Sequence, residues 1–156
     1  MDRTIGKIIF ALALMFVVIN GYAQKNEHSY NVQRAMECLA EGESDTAYEY
    51  VEKELENNPK NPEALHISGL ILVEREEYGR ALTALNKALQ CYKSKEKNNK
   101  ASVYFLRSKV YCNLLDTISA INDLQTALKL NPHDRDYSVE LGELFNKTNR
   151  NEEAAA

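Results

Sequence analysis

Residues 62–91, PEALHISGLILVEREEYGRALTALNKALQC, contain the pattern that decides the fold class. Each half of this stretch carries small or apolar side chains at helical spacing, namely Leu65, Gly69 and Leu72 in the first half and Leu82, Leu85, Ala88 and Leu89 in the second. The residues between the halves, 76–79, are typical of a short polar turn. The stretch therefore predicts two antiparallel amphipathic helices.

The same pattern recurs along the chain. One column consists of alanines spaced 34, 39 and 34 residues apart: Ala47, Ala81, Ala120 and Ala154. A second column of small residues has the same spacing: Ala35, Gly69, Ser108 and Gly142. Three residues later comes a bulky or apolar side chain: Cys38, Leu72, Tyr111 and Phe145. Because small residues let two helices approach closely, the columns predict an all-α array of stacked helix pairs.

These columns resemble the tetratricopeptide repeat, a 34-residue helix pair. The resemblance implies antiparallel pairs stacked in a right-handed α-solenoid. The segments would be a lead-in at 24–27, a degenerate first repeat at 28–61, a second at 62–95, an insertion at 96–100, a third at 101–134 and a partial fourth at 135–156. The first repeat departs from the family pattern, with Asn31 and Cys38 where aromatic residues are usual and Glu54 where alanine is usual.

Two departures affect the edges of the array. We expect the insertion to form a solvated loop or an extended helix end rather than a docking patch for an acidic partner. We expect the fourth repeat to stop in the first turn of its second helix. Either its first helix caps the stack, or the sequence belongs to a longer protein, which is the interpretation we favour.

The first 23 residues have the order of a secretory signal peptide. Arg3 and Lys7 precede the apolar run from Ile8 to Ile19, and the small residues Gly21 and Ala23 follow it. Cleavage after Ala23 would leave 133 residues with 17 basic and 22 acidic side chains, a net charge of −5. A helix of twelve residues is about 18 Å long, against a hydrocarbon core of about 30 Å. We therefore expect a signal-peptide helix before the repeat array. We expect the protein to be exported by a bacterium, to the periplasm or as a secreted protein, and not to stay inserted in the membrane after cleavage.

Composition and motifs exclude several functions. A net charge of −4 and a pI near 5.5 argue against a nucleic-acid partner. The sequence has no glycine-rich phosphate loop, nucleophile elbow or HExxH motif, so we expect neither catalysis nor a cofactor. Glu63 and His66 have the spacing of half a di-iron site but lack a second copy, so we expect no metal. We expect Cys38, Cys91 and Cys112 to be free thiols or to form an intermolecular bridge.

What remains is binding through a surface. The resemblance implies a concave face lined by the first helix of each repeat, with candidate residues Val32, Met36, Leu39, His66, Leu70, Val73, Phe105, Lys109 and Cys112. Family members that clamp acidic chaperone tails use Lys, Asn and Arg where this sequence has Val32, Met36, Ile67, Ser102 and Leu106. A mostly apolar groove favours a hydrophobic or amphipathic segment as ligand.

These observations lead to three hypotheses. The first is an exported, non-enzymatic scaffold that binds a protein or peptide. The second is the amino-terminal array of a longer secreted enzyme or redox protein. The third is self-association through the exposed end of the stack.

Overall fold

The computed structural model describes residues 29–155, with side chains described as far as residue 149. The predicted signal peptide and lead-in lie outside this part. It contains seven helices, α1 Tyr30–Ala40, α2 Ser44–Asn57, α3 Pro62–Glu74, α4 Tyr78–Cys91, α5 Lys97–Asn113, α6 Thr117–Leu130 and α7 Arg135–Ala155. There is no strand among the described residues, which confirms the all-α solenoid. Within residues 29–155, no helix is long and apolar enough to span a membrane.

The helices stack as consecutive pairs. The first helix of each repeat packs on the second helix that follows it, as α1 on α2, α3 on α4 and α5 on α6, and α7 then packs on α6. The column alanines Ala47, Ala81 and Ala120 have no exposed surface. A Cβ atom added to Gly69 would lie 2.4 Å from Cδ2 of Leu85. In the first three repeats, the small columns therefore mark the places where paired helices touch.

Each helix pair turns through one residue in the left-handed region. The three positions are Gly42 with a φ of 82°, Glu76 with 59° and Leu115 with 60°. In the second repeat, the N–H of Glu77 then donates to the Leu72 carbonyl at 2.8 Å, which closes α3 with a bond across six residues. The turn therefore occupies residues 75–77, and the prediction that it includes Tyr78 and Gly79 is wrong, because both belong to α4.

The two edges of the array also differ from a simple repeat. Residues 97–100 of the insertion form the first turn of α5, so the insertion is an extended helix end. The last helix, α7, runs without a break to Ala155, so the expected turn before Ala154 is absent and that prediction is wrong. Residues 143–153 contain neither glycine nor proline, the residues that usually end a helix.

The apolar interior is divided into three clusters. The largest joins α3, α4 and α5, and includes Leu72, Leu85 and Val110. A second joins α1, α2 and α3 around Val32 and Val51. The third lies between α5, α6 and α7 and contains, among the side chains described, three buried residues, Ala101, Ala127 and Tyr137. The smallest of the three clusters thus supports the last helix.

The unusual residues of the first repeat compensate for one another. Glu54 is only 6% exposed and accepts hydrogen bonds from Nδ2 of Asn31 at 3.4 Å and from Nδ2 of Asn61 at 2.7 Å. The Oδ1 atom of Asn61 in turn accepts from the backbone N–H groups of Glu63 and Ala64 and caps α3. The buried carboxylate is therefore satisfied, and it ties the first repeat to the start of the second.

An arginine performs a similar role in the third repeat. The Nε and Nη2 atoms of Arg107 donate to the two carboxylate oxygens of Asp123, each at 2.7 Å. Asp123 is buried, and the same guanidinium donates to the side chain of Asn86 on α4. The bidentate pair links α5 and α6, and the hydrogen bond to Asn86 adds α4. Bidentate pairs between arginine and a carboxylate are among the strongest side-chain hydrogen bonds.

Candidate functional site

The first helices form the inner face of the stack. Helix α1 contacts α3, and α3 contacts α5, whereas contacts between successive second helices are at most marginal. The side on which helices lie closer together is the concave side of a curved array. The concave face therefore belongs to α1, α3 and α5, the helices on which the candidate residues were placed.

A cavity of about 180 Å³ lies at the centre of this face, and we refer to it as the central pocket. It is lined by Met36, Glu63, His66, Ile67, Tyr92, Asn99 and Ser102. The residues come from three repeats, since Met36 is on α1, His66 on α3 and Ser102 on α5. One partner side chain placed here would contact three repeats at once.

Two ionisable groups of the central pocket, the side chains of His66 and Tyr92, are uncharged at neutral pH, whereas Glu63 adds a carboxylate to the lining. Burial lowers the pKa of His66 to about 4, so its imidazole is neutral at pH 7. Burial raises the pKa of the Tyr92 hydroxyl, and the nearby carboxylates of Glu63 and Glu96 raise it further. The Oγ of Ser102 lies 3.3 Å from the hydroxyl of Tyr137 and also donates to the carbonyl of Asn98 at 3.2 Å. Met36 and Ile67 form the apolar part of the lining, and an apolar side chain placed against them would also lie beside the neutral groups of His66 and Ser102.

A second concave feature, which we call the cleft, separates α5 from α7. Its narrow end is a cavity of about 260 Å³ that includes Phe105, Lys109 and Val139, and its wide end is one of about 460 Å³ that includes Cys112 and Leu144. Both cavities include Glu140. Near the start of α7, the ring of Tyr137 lies 4.7 Å from that of Phe105. The ammonium of Lys109 lies 4.6 Å from the centre of the Phe105 ring.

The structure places six of the nine candidate residues in three surface environments. Met36, which is 49% exposed, and His66 line the central pocket. Phe105, Lys109 and Cys112 line the cleft. Leu70 is 36% exposed on α3 but belongs to neither cavity.

Three of the candidates instead pack in the interior. Val32 is completely buried, so its prediction as a groove residue is wrong. It lies on the side of α1 that packs into the cluster shared with α2 and α3. Leu39 and Val73 are half-buried against the same cluster and the largest cluster, respectively.

Several residues of the central pocket were not among the candidates. Tyr92 caps the end of α4, which is a second helix, whereas the candidate residues were all taken from first helices. Asn99 belongs to the insertion, and its place in the pocket depends on that segment being helical. The signal was available, because Asn99 lies three residues before Ser102 and therefore on a neighbouring part of the same helix face.

Two predictions concern a metal site and the state of the three cysteines. Within residues 29–155, no group of three or more His, Cys, Asp or Glu side chains is arranged to hold a metal ion. Cys38 is buried, Cys91 and Cys112 are half-buried, and all three are free thiols. Burial and the carboxylate of Glu140 raise the pKa of the Cys112 thiol, so it is protonated at neutral pH.

Comparison with known proteins gives the same architecture. A family model described as the tetratricopeptide repeat matches residues 32–96 and 116–156, more than half of the chain. No match was found among curated proteins.

Three solved structures illustrate the likeness. The first repeat domain of Spaghetti (RPAP3), bound to an HSP90 peptide, is 18% identical; the match covers 76% of this chain and 90% of that one, with a TM-score of 0.68. A mutant O-GlcNAc transferase from Thermobaculum terrenum is 25% identical over 73% of this chain and 21% of that one, with a TM-score of 0.66. The pilF protein of Pseudomonas aeruginosa is 22% identical over 77% of this chain and 53% of that one, with a TM-score of 0.68.

Proposed function

Because the chain belongs to the tetratricopeptide repeat family, whose repeats are typical of protein-interaction scaffolds, we propose that it holds a protein or peptide partner on its concave face. The partner segment would be apolar or amphipathic and would place one apolar side chain in the central pocket. The protein would act by binding alone, without catalysis and without a cofactor.

One observation carries this proposal. Met36, on the first helix of the array, is 49% exposed beside the neutral side chains of His66 and Ser102. A flexible thioether beside a small cavity is well suited to adapt to an apolar ligand. Leu70 extends the apolar surface along α3, where it is 36% exposed.

The nature of the ligand follows from the same residues. The RPAP3 domain was solved with an HSP90 peptide of sequence SRMEEVD, which contains two glutamates. The concave face of this chain has Met36, Ile67 and Ser102 around its pocket, and none of these can neutralise a carboxylate. We therefore propose an apolar anchor rather than an acidic tail.

The test uses peptides selected from a random displayed library on the purified protein. Binding of the selected peptides is measured by fluorescence anisotropy for the wild type and for Met36→Glu and Leu70→Glu. We expect each charge to weaken binding about tenfold or more, because burial of one apolar side chain contributes about that much.

Thr83→Glu is the matched control. Thr83 is exposed on α4, a second helix, and lines neither the central pocket nor the cleft, so the same negative charge is placed away from the concave face. Equal weakening by the control, or unchanged binding by both test variants with the circular dichroism of the wild type, would contradict the proposal.

We further propose that the protein works outside the cytoplasm. This rests on the basic, apolar and small-residue order of residues 1–23. A fusion of residues 1–23 to a phosphatase that is active only after export should give phosphatase activity in a bacterial host. Replacing three of the apolar residues in the run by aspartate should abolish it, and activity that survives this change would refute export by this segment.

A second candidate function is supported by the Thermobaculum terrenum enzyme. There the matched region is 21% of a longer transferase chain. Arrays of this kind thus occur as parts of larger enzymes, and we propose as the alternative that this chain positions substrates or partners for a secreted enzyme or redox domain. Sequencing the gene beyond the codon for Ala156 separates the two: a stop codon there would exclude the alternative.

A further inference from the structure

The cleft has a shape that the rest of the concave face lacks. Helices α1 and α3 contact each other, as do α3 and α5, but α5 and α7 make at most marginal backbone contact. They are joined near the start of α7, where Tyr137 contacts Phe105 and Ser102. Farther along α7, the second cavity has a volume of about 460 Å³, against about 260 Å³ for the cavity beside Phe105.

The wide end of the cleft has an apolar edge. The turn of the third repeat, residues 114–116, reads LLD, whereas the corresponding turns at 41–43 and 75–77 read EGE and REE. Leu115 lines the wide cavity and is 86% exposed. Leu114 and Ile118, at 47% and 77% exposed, extend the apolar surface around it.

Leu115 also occupies a strained backbone position. Its φ is 60°, a conformation that costs a non-glycine residue about 1–2 kcal/mol. The side chain recovers none of this cost by burial. A bulky apolar residue that is both strained and exposed is explained when a ligand covers it.

The charges at the wide end are unbalanced. Three charged residues line it: Glu140, Glu143 and Lys147. Within the described part of the chain, none of the three forms an ion pair. The narrow end, in contrast, has both signs in balance, with Lys109 and Arg135 against Asp136 and Glu140. A cation entering the wide end would therefore find an unneutralised carboxylate.

We propose that the wide end of the cleft binds a partner segment in which an apolar side chain lies next to a lysine or arginine. The apolar side chain packs on Leu115 and Leu144, and the cation pairs with Glu140 and Glu143. The proposal rests on the proposed function in that both concern partner binding, but it concerns a different part of the concave face and a defined ligand chemistry.

The test is subtractive selection of a random peptide library. Peptides that bind the Leu115→Asn protein are first removed, and the remainder is selected on the wild type. Asparagine tolerates the left-handed conformation, so this variant should be at least as stable as the wild type while it loses the apolar edge. We expect the selected peptides to combine Lys or Arg with a large apolar residue.

Charge variants then give effects of opposite sign. Binding of a synthetic copy of a selected peptide should weaken about tenfold in Leu115→Asn, weaken several-fold in Glu140→Gln, and strengthen in Lys147→Gln. Glu76→Asn, at the equivalent position of the second repeat, is the matched control and should leave binding unchanged.

Failure of this proposal can be separated from failure of the proposed function. If no peptide survives subtraction, or if the survivors are acidic or insensitive to Glu140→Gln, the cleft proposal is overturned. The effect of Met36→Glu on peptides selected without subtraction tests the central pocket independently. Loss there with no effect of Leu115→Asn would leave the proposed function intact and refute the cleft site alone.

Discussion

Replacing Gly69 by alanine tests the packing principle of the array. Gly69 and Gly142 hold the same position in the first helices of the second and fourth repeats, but their surroundings differ. An added Cβ at Gly69 would lie 2.4 Å from Cδ2 and 2.7 Å from Cγ of Leu85, which is completely buried. At Gly142 the added Cβ would meet nothing within 4 Å.

The two substitutions should therefore change stability in opposite directions. In an exposed helix, Gly→Ala stabilises by roughly 0.5–1 kcal/mol, and this is the expected result for Gly142→Ala. At Gly69 the same gain is opposed by an overpacking cost of about 1–3 kcal/mol. Gly69→Ala should thus destabilise by about 1 kcal/mol, leaving a difference of roughly 2 kcal/mol between the two variants.

Urea unfolding followed by far-UV circular dichroism measures both values. The double variant Gly69→Ala/Leu85→Ala provides a further check, because the clash requires the Leu85 side chain. Removing that side chain should cost less in the Gly69→Ala protein than in the wild type. A Gly69→Ala protein as stable as Gly142→Ala, with no coupling to Leu85, would refute the close approach of α3 and α4 at this column.

Three further predictions concern single residues. Glu76→Gly should stabilise the protein by up to about 1 kcal/mol, because a φ of 59° is unstrained only for glycine; a lower thermal midpoint would contradict this. Because burial lowers the pKa of His66 to about 4, the unfolded chain binds its proton more readily. The free energy of unfolding should therefore fall as the pH drops from 6.5 towards 4, by at most about 3 kcal/mol. His66→Gln should flatten that part of the pH profile in urea titrations, and an unchanged profile would show that another group is responsible. Arg107→Lys should destabilise by about 1–3 kcal/mol, because lysine cannot form the bidentate pair with buried Asp123; a thermal midpoint equal to that of the wild type would exclude a stabilising role for the second hydrogen bond.

The fold could be predicted from the sequence because every repeat solves the same packing problem. Ala47, Ala81 and Ala120 all have to lie against a neighbouring helix, so the restriction to a small side chain appears three times at related positions. Local departures were harder to interpret. Glu54 looked like a defect because it stands where alanine is usual in the family, and its hydrogen-bond partners Asn31 and Asn61 are 23 and 7 residues away in the sequence.

The candidate site was predicted less completely, because a helix face does not show which residues lie at its edges. Val32 lies four residues before Met36, yet Val32 is buried and Met36 is half exposed, since α1 has to face α2 and α3 as well as the groove. The cleft lies between α5 and α7, which come from different repeats and are joined by contacts such as the one between Tyr137 and Phe105. The spacing of columns within a repeat does not predict such contacts.

The division of the interior into three clusters has a consequence for how the protein unfolds. In an array with nearest-neighbour contacts, stability is a sum of local terms along one dimension. Helix α7 rests on the small cluster around Tyr137, so its amides should exchange with solvent sooner than those of α3 and α4. A partner that spans the central pocket and the cleft would contact both the well-packed helices and α7. With the partner bound, α7 should no longer unfold before the other helices, and the array should unfold in one cooperative transition. Slower hydrogen exchange in α7 would then show that the partner occupies the whole concave face.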